Sequence, residues 1–135
     1  MKELNYIDLF AGAGGLSEGF IRAGFTPIAH VEMDKAACNT LLTRAAYHYL
    51  KEVNKLNLYT DYLTGKIKRS ELYSELPENL RNSVINSAIS KVNNEQIFQQ
   101  IDDLNNGKKV NLIIGGPPCQ AYSLIGRAAD KNKMK

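Results

Sequence analysis

The sequence predicts an α/β fold with a partial parallel sheet of about four strands and helices on its faces. Three observations support this prediction. Short apolar segments typical of strands alternate with helical segments, a glycine-rich loop follows the first strand, and an acidic residue ends the second. This order is typical of βαβ units, whose parallel strands bring their carboxyl ends, where ligands bind, to one edge of the sheet.

Length and composition favour a single compact domain, which we take as 1–135. Hydrophobic residues make up 44% and charged residues 23% of the 135 residues, which is ordinary for a globular protein. There is no signal-peptide pattern and no apolar run of about 20 residues, so we expect a cytoplasmic protein without a membrane partner. The two cysteines lack metal-ligand spacing, so no metal site is expected. A net charge of +3 does not by itself indicate a nucleic-acid partner.

Two strand–helix units are predicted in the first 50 residues. They comprise a strand at 5–10, a helix at 16–23, a strand at 27–32 and a helix that runs to Leu50. Gly24 stands where a left-handed C-terminal cap is expected after the first helix. Pro27 is expected at the entry of its strand, where a missing N–H is tolerated. Asp34 is the expected N-cap of the second helix.

Residues 51–83 show weaker signals, because polar, aromatic and charged residues are interleaved without a sustained period. We interpret this segment as an insertion that carries short helical pieces, such as 71–76, rather than as part of the core.

A clear pattern returns after residue 83. Strands are predicted at 84–89 and 110–114, with a helix between them. Asn93 followed by Gln96 resembles a capping box, and Gly107 is expected to end the helix. The predicted apolar face of this helix comprises Ile97, Ile101 and Leu104.

The glycine-rich loop reads FAGAGGLSEG, from Phe10 to Gly19. Glycines allow a ligand to approach the backbone closely, and the free N–H groups at the following helix start favour an accepting group. A dinucleotide fingerprint would require glycine where Ser17 stands, so that pattern is not met. The alternative interpretation is an ordinary tight turn.

An acid follows the loop at the spacing expected for ribose recognition. Glu32 lies twenty positions after Gly12 and ends the second predicted strand, where a carboxylate can accept hydrogen bonds from ribose hydroxyls. A ribose-bearing cofactor without pyrophosphate fits better than a dinucleotide, although a surface carboxylate is the simpler alternative. Met33, next to the acid, either contacts an adenine face or fills the core.

The stretch VNLIIGGPPCQAYS, at 110–123, presents one cysteine after a strand, two glycines and two prolines. A thiol attacks as thiolate and needs a fixed direction and an accessible setting. Pro117 and Pro118 restrict the backbone that carries Cys119, and the preceding glycines permit a sharp exit from the strand. Cys119 is therefore a candidate nucleophile, whereas Cys38, expected in the middle of a helix among apolar residues, is expected to be buried and inert.

Three motifs resemble those of the cytosine-C5 DNA methyltransferases. DLFAGAGGLSEGF at 8–20, VEMD at 31–34 and GGPPCQAYS at 115–123 resemble the first, second and fourth motifs of that family in wording, order and spacing. The resemblance implies a Rossmann-like S-adenosylmethionine-dependent methyltransferase fold. It also implies transfer of a methyl group from S-adenosylmethionine to C5 of a cytosine flipped out of double-stranded DNA, as in restriction-modification systems.

The resemblance also implies residue roles. Glu32 would hold the ribose of S-adenosylmethionine, Met33 would contact its adenine, and Pro117 would flank it. Cys119 would add to C6 of cytosine so that C5 can accept the methyl group, and the thiol would leave after the C5 proton is lost. Further residues expected to line the cofactor site are Phe10, Ala11, Gly12, Gly14, Gly15 and Leu16. Those expected to support the catalytic loop are Pro118, Gln120 and Ser123.

The sequence departs from the family pattern in two respects. The acid that the third motif usually supplies to the adenine amino group is missing, with Asn86 and Ser87 as possible replacements. After Ser123 there is no Glu-Asn-Val motif, no Gln-x-Arg-x-Arg motif, no target-recognition region and no final motif. We therefore expect this chain alone to be inactive, and to require the carboxyl-terminal part of the enzyme in cis, as a fragment, or in trans, as one subunit.

Three other functions are weighed. One is a non-catalytic cofactor-binding or assembly subunit of a split enzyme, in which Cys119 is idle. Another is a tRNA cytosine-C5 methyltransferase with the same motifs. Amino-group methyltransferases also use a Pro-Pro pair, but an aromatic residue follows it, and Cys119 in that position argues against them.

Overall fold

The computed structural model describes residues 2–117, which form four strands and six helices. The strands are β1 (Leu4–Leu9), β2 (Phe25–Glu32), β3 (Val84–Asn86) and β4 (Leu112–Gly115). The helices are α1 (Gly15–Arg22), α2 (Lys35–Glu52), α3 (Leu56–Leu63), α4 (Arg69–Ser74), α5 (Glu78–Asn82) and α6 (Asn94–Asn105). None of these helices is long and apolar enough to cross a membrane.

The strands form one parallel sheet in the order β3-β2-β1-β4. Leu9, at the end of β1, lies opposite Val31 of β2 on one side and Gly115 of β4 on the other. Glu32 of β2 lies opposite Asn86 of β3. The predicted α/β fold with a parallel sheet of about four strands is confirmed, and the loops that follow all four strands meet at one edge.

The two faces of the sheet are packed differently because successive side chains of a strand point to opposite faces. On one face, apolar strand residues pack against α6. This cluster includes Ile7, Ala29, Val31, Ile85, Ile97 and Ile101. The opposite face carries Tyr6, Asp8 and His30, which are buried beneath α1 and α2.

Strand β2 begins two residues earlier than predicted, so Pro27 lies inside it and not at its entry. The register of β1 against β2 shifts just after this proline, with Tyr6 opposite Pro27 and Ile7 opposite Ala29. Strand β3 pairs with β2 only from His30 onward. Pro27 is tolerated because it lies beside an irregularity and, among residues 2–117, no strand pairs with it on its other side.

Strand β3 is also shorter than the predicted 84–89, ending at Asn86. The chain leaves the ladder at Ser87, whose N–H donates to the carbonyl oxygen of Glu32 at 3.0 Å. The local pattern did not reveal this end, because Ala88 and Ile89 continue the apolar character of the strand.

The expectation that residues 51–83 contribute no core is wrong. Helices α3 and α4 pack on α2, and Leu80 of α5 joins them in a second apolar cluster, in which Leu72 is 0% and Leu76 2% exposed. The hydroxyl of Tyr73 donates to the carbonyl oxygen of Asn39 at 2.7 Å, which links α4 to α2. Three short helices, each with only a few apolar residues, produce no sustained period in the sequence.

Two of the three predicted helix caps are confirmed. The Asp34 carboxylate accepts the N–H of Ala37 at 2.8 Å, and Gly24 follows α1 with φ of +91°. The predicted capping box at Asn93 is wrong: its side-chain amide donates to the carbonyl oxygen of Ala88 at 2.9 Å and caps no N–H of α6.

Candidate functional site

The glycine loop turns sharply between β1 and α1. Phe10 has φ of +53°, Gly12 +59° and Gly14 +94°, so three residues of this short loop adopt left-handed backbone. Between them, the N–H of Ala11 donates to the carbonyl oxygen of Val31 at 3.0 Å and holds the loop to β2. No atom stands within 4 Å of where a side chain of Gly12 would begin, whereas one on Gly14 would meet Leu41 at 2.8 Å. The loop is thus open at Gly12 and packed on α2 at Gly14.

Glu32 bridges the glycine loop and the turn that follows β2. Its Oε1 accepts the N–H of Gly12 at 3.0 Å, and its Oε2 accepts the N–H of Asp34 at 2.7 Å. A carboxylate offers about four acceptor positions, and these two contacts leave about half of them free. The sequence separation of twenty residues therefore corresponds to a direct contact, with acceptor capacity left for a ligand.

Asn86 fixes the same turn from β3. Its side-chain amide donates to the carbonyl oxygens of Glu32 at 3.2 Å and Met33 at 2.9 Å. Of the two residues considered for the third motif, Asn86 thus uses its N–H groups on the protein backbone. The hydroxyl of Ser87 donates to the neighbouring carbonyl oxygen of Ala88 at 3.4 Å.

Three apolar side chains of the candidate site are exposed. Phe10 is 37%, Leu16 50% and Met33 71% exposed. The alternative that Met33 fills the core is therefore wrong. Exposed apolar side chains beside an open glycine and a carboxylate with spare acceptor capacity suit a ligand that has both an apolar ring face and hydroxyl groups.

The loop after β4 starts at the same edge. Gly115 lies within β4, opposite Leu9, and a side chain there would meet the Leu9 carbonyl oxygen at 2.5 Å. Close pairing of β1 with β4 therefore requires this glycine, which the sequence analysis had assigned to a sharp exit from the strand. Pro117 follows as an exposed residue. The remaining predicted site residues, Pro118, Cys119, Gln120 and Ser123, lie outside the described residues.

The sequence analysis did not predict a chain of hydrogen-bonded polar side chains that is buried beneath the loop. Ser17 of α1 is hydrogen-bonded through its Oγ to the hydroxyl of Tyr6 and to Nε2 of His30, the latter at 2.8 Å. Asp8 is 1% exposed, and its Oδ2 lies 3.8 Å from His30 Nε2. The sequence signal is the alternation of Tyr6 and Asp8 along an apolar strand, which places two polar side chains on one face.

Burial sets the protonation states of Asp8 and His30 in this hydrogen-bonded chain of side chains. Burial, with a further contribution from the negative charge of Glu32, raises the pKa of Asp8 to about 6. Burial lowers the pKa of His30 to about 4. His30 is therefore neutral at pH 7, and its contact with Asp8 is not an ion pair there.

Cys38 is buried, as expected, with 2% of its surface exposed, but it lies in the first turn of α2 and not in the middle of the helix. Its Sγ donates to the carbonyl oxygen of Glu32 at 3.3 Å. Burial is the main cause that raises the pKa of this thiol above its ordinary value. A buried thiol with a raised pKa is a poor nucleophile.

The parallel sheet, the glycine loop after β1 and the acid that ends β2 define an α/β protein of the Rossmann-like methyltransferase class. The sequence model of the C-5 cytosine-specific DNA methylases matches residues 4–71, from the start of β1 into α4. The chain belongs to this family, and the resemblance seen in its motifs is confirmed.

Related proteins are type II methyltransferases. The chain is 42% identical to the type II methyltransferase M.Bpa9945I of Bacillus paralicheniformis, with 95% of the chain and 33% of the relative covered. It is 31% identical to M1.HphI of Haemophilus parahaemolyticus, with coverages of 92% and 23%. It is also 31% identical to M.AquIA of Picosynechococcus, with coverages of 93% and 36%. The chain thus spans about a third or less of the length of these relatives. No solved structure gives a significant match to the chain.

Proposed function

We propose that this chain is the cofactor-binding and nucleophile-bearing part of a DNA (cytosine-5)-methyltransferase of a restriction-modification system. The observation that carries the proposal is the bridge from Gly12 to Glu32 at 3.0 Å, which joins the two motifs that would seat the cofactor. Family membership supports the same reaction class.

Enzymes of this family generally use S-adenosylmethionine, which supplies an electrophilic methyl group when bound. The free acceptor positions of Glu32 would take the ribose hydroxyls, and the exposed side chain of Met33 would lie against the adenine. The other residues proposed to line this seat are Phe10, Ala11, Gly12, Gly14, Gly15, Leu16 and Pro117. The residues of the seat fit such a group because they combine hydrogen-bond acceptors with exposed apolar surface.

Cys119 is the proposed nucleophile. Its thiolate forms a bond to C6 of a cytosine flipped out of DNA, which makes C5 electron-rich enough to accept the methyl group. After the methyl transfer, a base removes the C5 proton, the electron pair of the C5–H bond re-forms the C5–C6 double bond, and the cysteine leaves C6 as thiolate. Pro118, Gln120 and Ser123 would hold the loop that carries the thiol.

The rest of the enzyme is the proposed partner, in cis or in trans. Among residues 2–117, β4 pairs with β1 alone, and its Ile113 is 62% exposed whereas Ile7, opposite it on β1, is 7% exposed. An apolar strand residue left uncovered at the sheet edge favours a further packed element there. The target-recognition region would lie in that remaining part, and the assembled enzyme would act on cytoplasmic DNA.

The cofactor seat is tested by Glu32→Gln, with Glu95→Gln, at an exposed position of α6, as the matched control. Binding of S-adenosylmethionine to the full chain, measured by calorimetry, should weaken by roughly 10- to 100-fold in the Glu32 variant, because a charged acceptor of hydroxyl groups is lost. The Glu95 variant should bind like the wild type. Equal affinity in all three proteins would remove Glu32 from the seat.

The nucleophile is tested in a chimera, in which this chain replaces the matched segment of M.Bpa9945I. Transfer of labelled methyl groups to duplex DNA should be abolished by Cys119→Ser and retained by Cys38→Ser. Transfer that survives Cys119→Ser would show the thiol to be idle.

A further inference from the structure

A cavity lies between α1 and α2, over β2 and behind the glycine loop. Its volume is about 260 Å³, and Gly14 and Ser17 line the end nearest the loop. Most of its wall is apolar, with Ile21 of α1, Leu41 and Ala45 of α2, and Leu80 of α5. Glu32, whose carboxylate accepts the N–H of Gly12, does not line it.

One residue of the cavity wall carries a buried polar atom without a partner. His30 lines it and is 8% exposed, and Nδ1 of this ring has no hydrogen-bond partner among the described residues. The other ring nitrogen is engaged by Ser17 at 2.8 Å. A buried ring nitrogen without a partner is unfavourable. Depending on the tautomer, Nδ1 is either a donor or an acceptor.

Water alone is a poor occupant of this space. One water molecule takes up about 30 Å³ and needs two to four polar partners, whereas most of the wall area of this cavity of about 260 Å³ is apolar. Apolar cavities of about 150 Å³ are known to admit benzene, so this one has room for a bicyclic ring.

Charged ligands fit less well than neutral ones. Arg44 and Glu18, which line one side of the cavity, are paired with each other at 2.9 Å. Glu52 also lines the cavity but is exposed at the end of α2. Burying an unpaired charge against the apolar walls would be unfavourable.

We propose that this cavity is a binding site for a small, uncharged bicyclic heteroaromatic molecule that presents a ring N–H or a ring nitrogen to His30. Since Gly14 belongs both to the cavity wall and to the glycine loop, the ligand contacts that loop from behind. The proposal stands on the cavity and on His30, and it does not depend on the methyl-transfer reaction.

The test uses benzimidazole, which carries both a ring N–H and a ring acceptor and therefore matches either tautomer of His30. It is titrated into the full chain at pH 7.5 and followed by calorimetry and by amide chemical shifts. Binding is expected with a dissociation constant on the order of 1 mM, as befits a ligand of so few atoms. The largest shifts are expected at Ser17, His30 and Ala45.

Two variants separate this site from non-specific binding. Ala45→Leu fills the cavity and is expected to weaken binding at least tenfold, whereas Ala36→Leu, the same change at an exposed position of α2, is expected to leave it unchanged. His30→Phe, which keeps a ring but removes the polar partner, is expected to weaken binding about fivefold. Absence of binding by the wild type at 10 mM, equal binding by Ala45→Leu, or shifts that map outside the cavity would each overturn the proposal.

Discussion

The two faces of the sheet differ in how they are held together. The face beneath α6 is centred on an apolar cluster that includes Ile7, Val31 and Ile97. The face beneath α1 and α2 buries a hydrogen-bonded chain that includes Ser17 and His30. Both faces are formed by the same strands, so the difference arises from the alternation of side chains along them.

The comparison indicates that the apolar face mainly stabilises the fold, whereas the polar face positions the candidate site. Apolar packing has no preferred direction, whereas hydrogen bonds fix the groups they join. The polar face is the one that carries α1, whose start forms the end of the glycine loop. We therefore expect substitutions on the apolar face to change the free energy of unfolding by the same amount at every pH. Substitutions on the polar face should change it by an amount that depends on pH.

The largest effect is expected from Ile97→Ala on the apolar face. Ile97 is 3% exposed, and truncation of a buried isoleucine destabilises a protein by about 3 kcal/mol. Phe98→Ala is the matched control, since Phe98 is the next residue of α6 and is 60% exposed. Urea unfolding should give the same difference between the two variants at pH 5 and pH 8, and a pH-dependent difference would break the comparison.

Asp8→Asn should produce a pH-dependent effect on the polar face. Burial raises the Asp8 pKa from 3.8 to about 6, so its stabilising contribution is full below pH 3.8 and is lost as the pH rises through about 6. A shift of about two units corresponds to roughly 3 kcal/mol. Relative to the wild type, the variant should gain about 2 kcal/mol in unfolding free energy between pH 4 and pH 8. A pH-independent difference would mean that Asp8 ionises freely in the folded protein.

Ser17→Ala tests the hydrogen-bonded chain itself. It removes the group that joins Tyr6 to His30 and leaves their buried polar atoms without this partner, at an expected cost of about 1–2 kcal/mol. Ser70→Ala, at an exposed position of α4, should change stability by less than about 0.5 kcal/mol. Equal stability of the two variants in urea unfolding would show that the hydrogen bonds of Ser17 do not stabilise the fold.

The smallest effect is expected from Glu18→Gln, at the contact between α1 and α2. Glu18 accepts from Arg44 at 2.9 Å and 3.2 Å and is paired with His48. The hydrogen bonds from Arg44 are the main cause that lowers the Glu18 pKa from 4.5 to about 2. Its contribution is therefore full above pH 4.5 and is lost as the pH falls through about 2.

For these partly exposed partners we expect a loss of about 1 kcal/mol at pH 7. It should shrink in 1 M salt, because salt screens partly exposed pairs. Thermal unfolding at low and high salt measures this loss of stability. A loss that does not change with salt would show that packing of Glu18, and not its charge, is responsible.

Much of the fold could be predicted because its signals are local. The glycine loop, the cap at Asp34 and the alternation of strands with helices are each visible within a few residues. The contact between Gly12 and Glu32 was also accessible, because βαβ geometry brings the ends of adjacent parallel strands together.

Other features depend on contacts that no short window contains. The cluster around Leu72 forms only when three short helices meet α2, and the position of Pro27 within β2 depends on a register shift in the neighbouring strand. The reason for Gly115 is the nearness of the Leu9 carbonyl group, which becomes apparent only once β4 pairs with β1. The role of His30 is likewise not apparent from its place in an apolar strand, because it depends on the contact with Ser17 of α1.

The central claim, that Cys119 attacks cytosine beside the cofactor seat, is tested most directly by trapping the bond it forms. The chimera with M.Bpa9945I is incubated with S-adenosylmethionine and duplex DNA that contains 5-fluorocytosine, from which no C5 proton can be lost, so that the adduct persists. Peptide mapping by mass spectrometry should find the nucleotide on Cys119 and none on Cys38. An adduct on another residue, or an adduct that survives Cys119→Ser, would contradict the account.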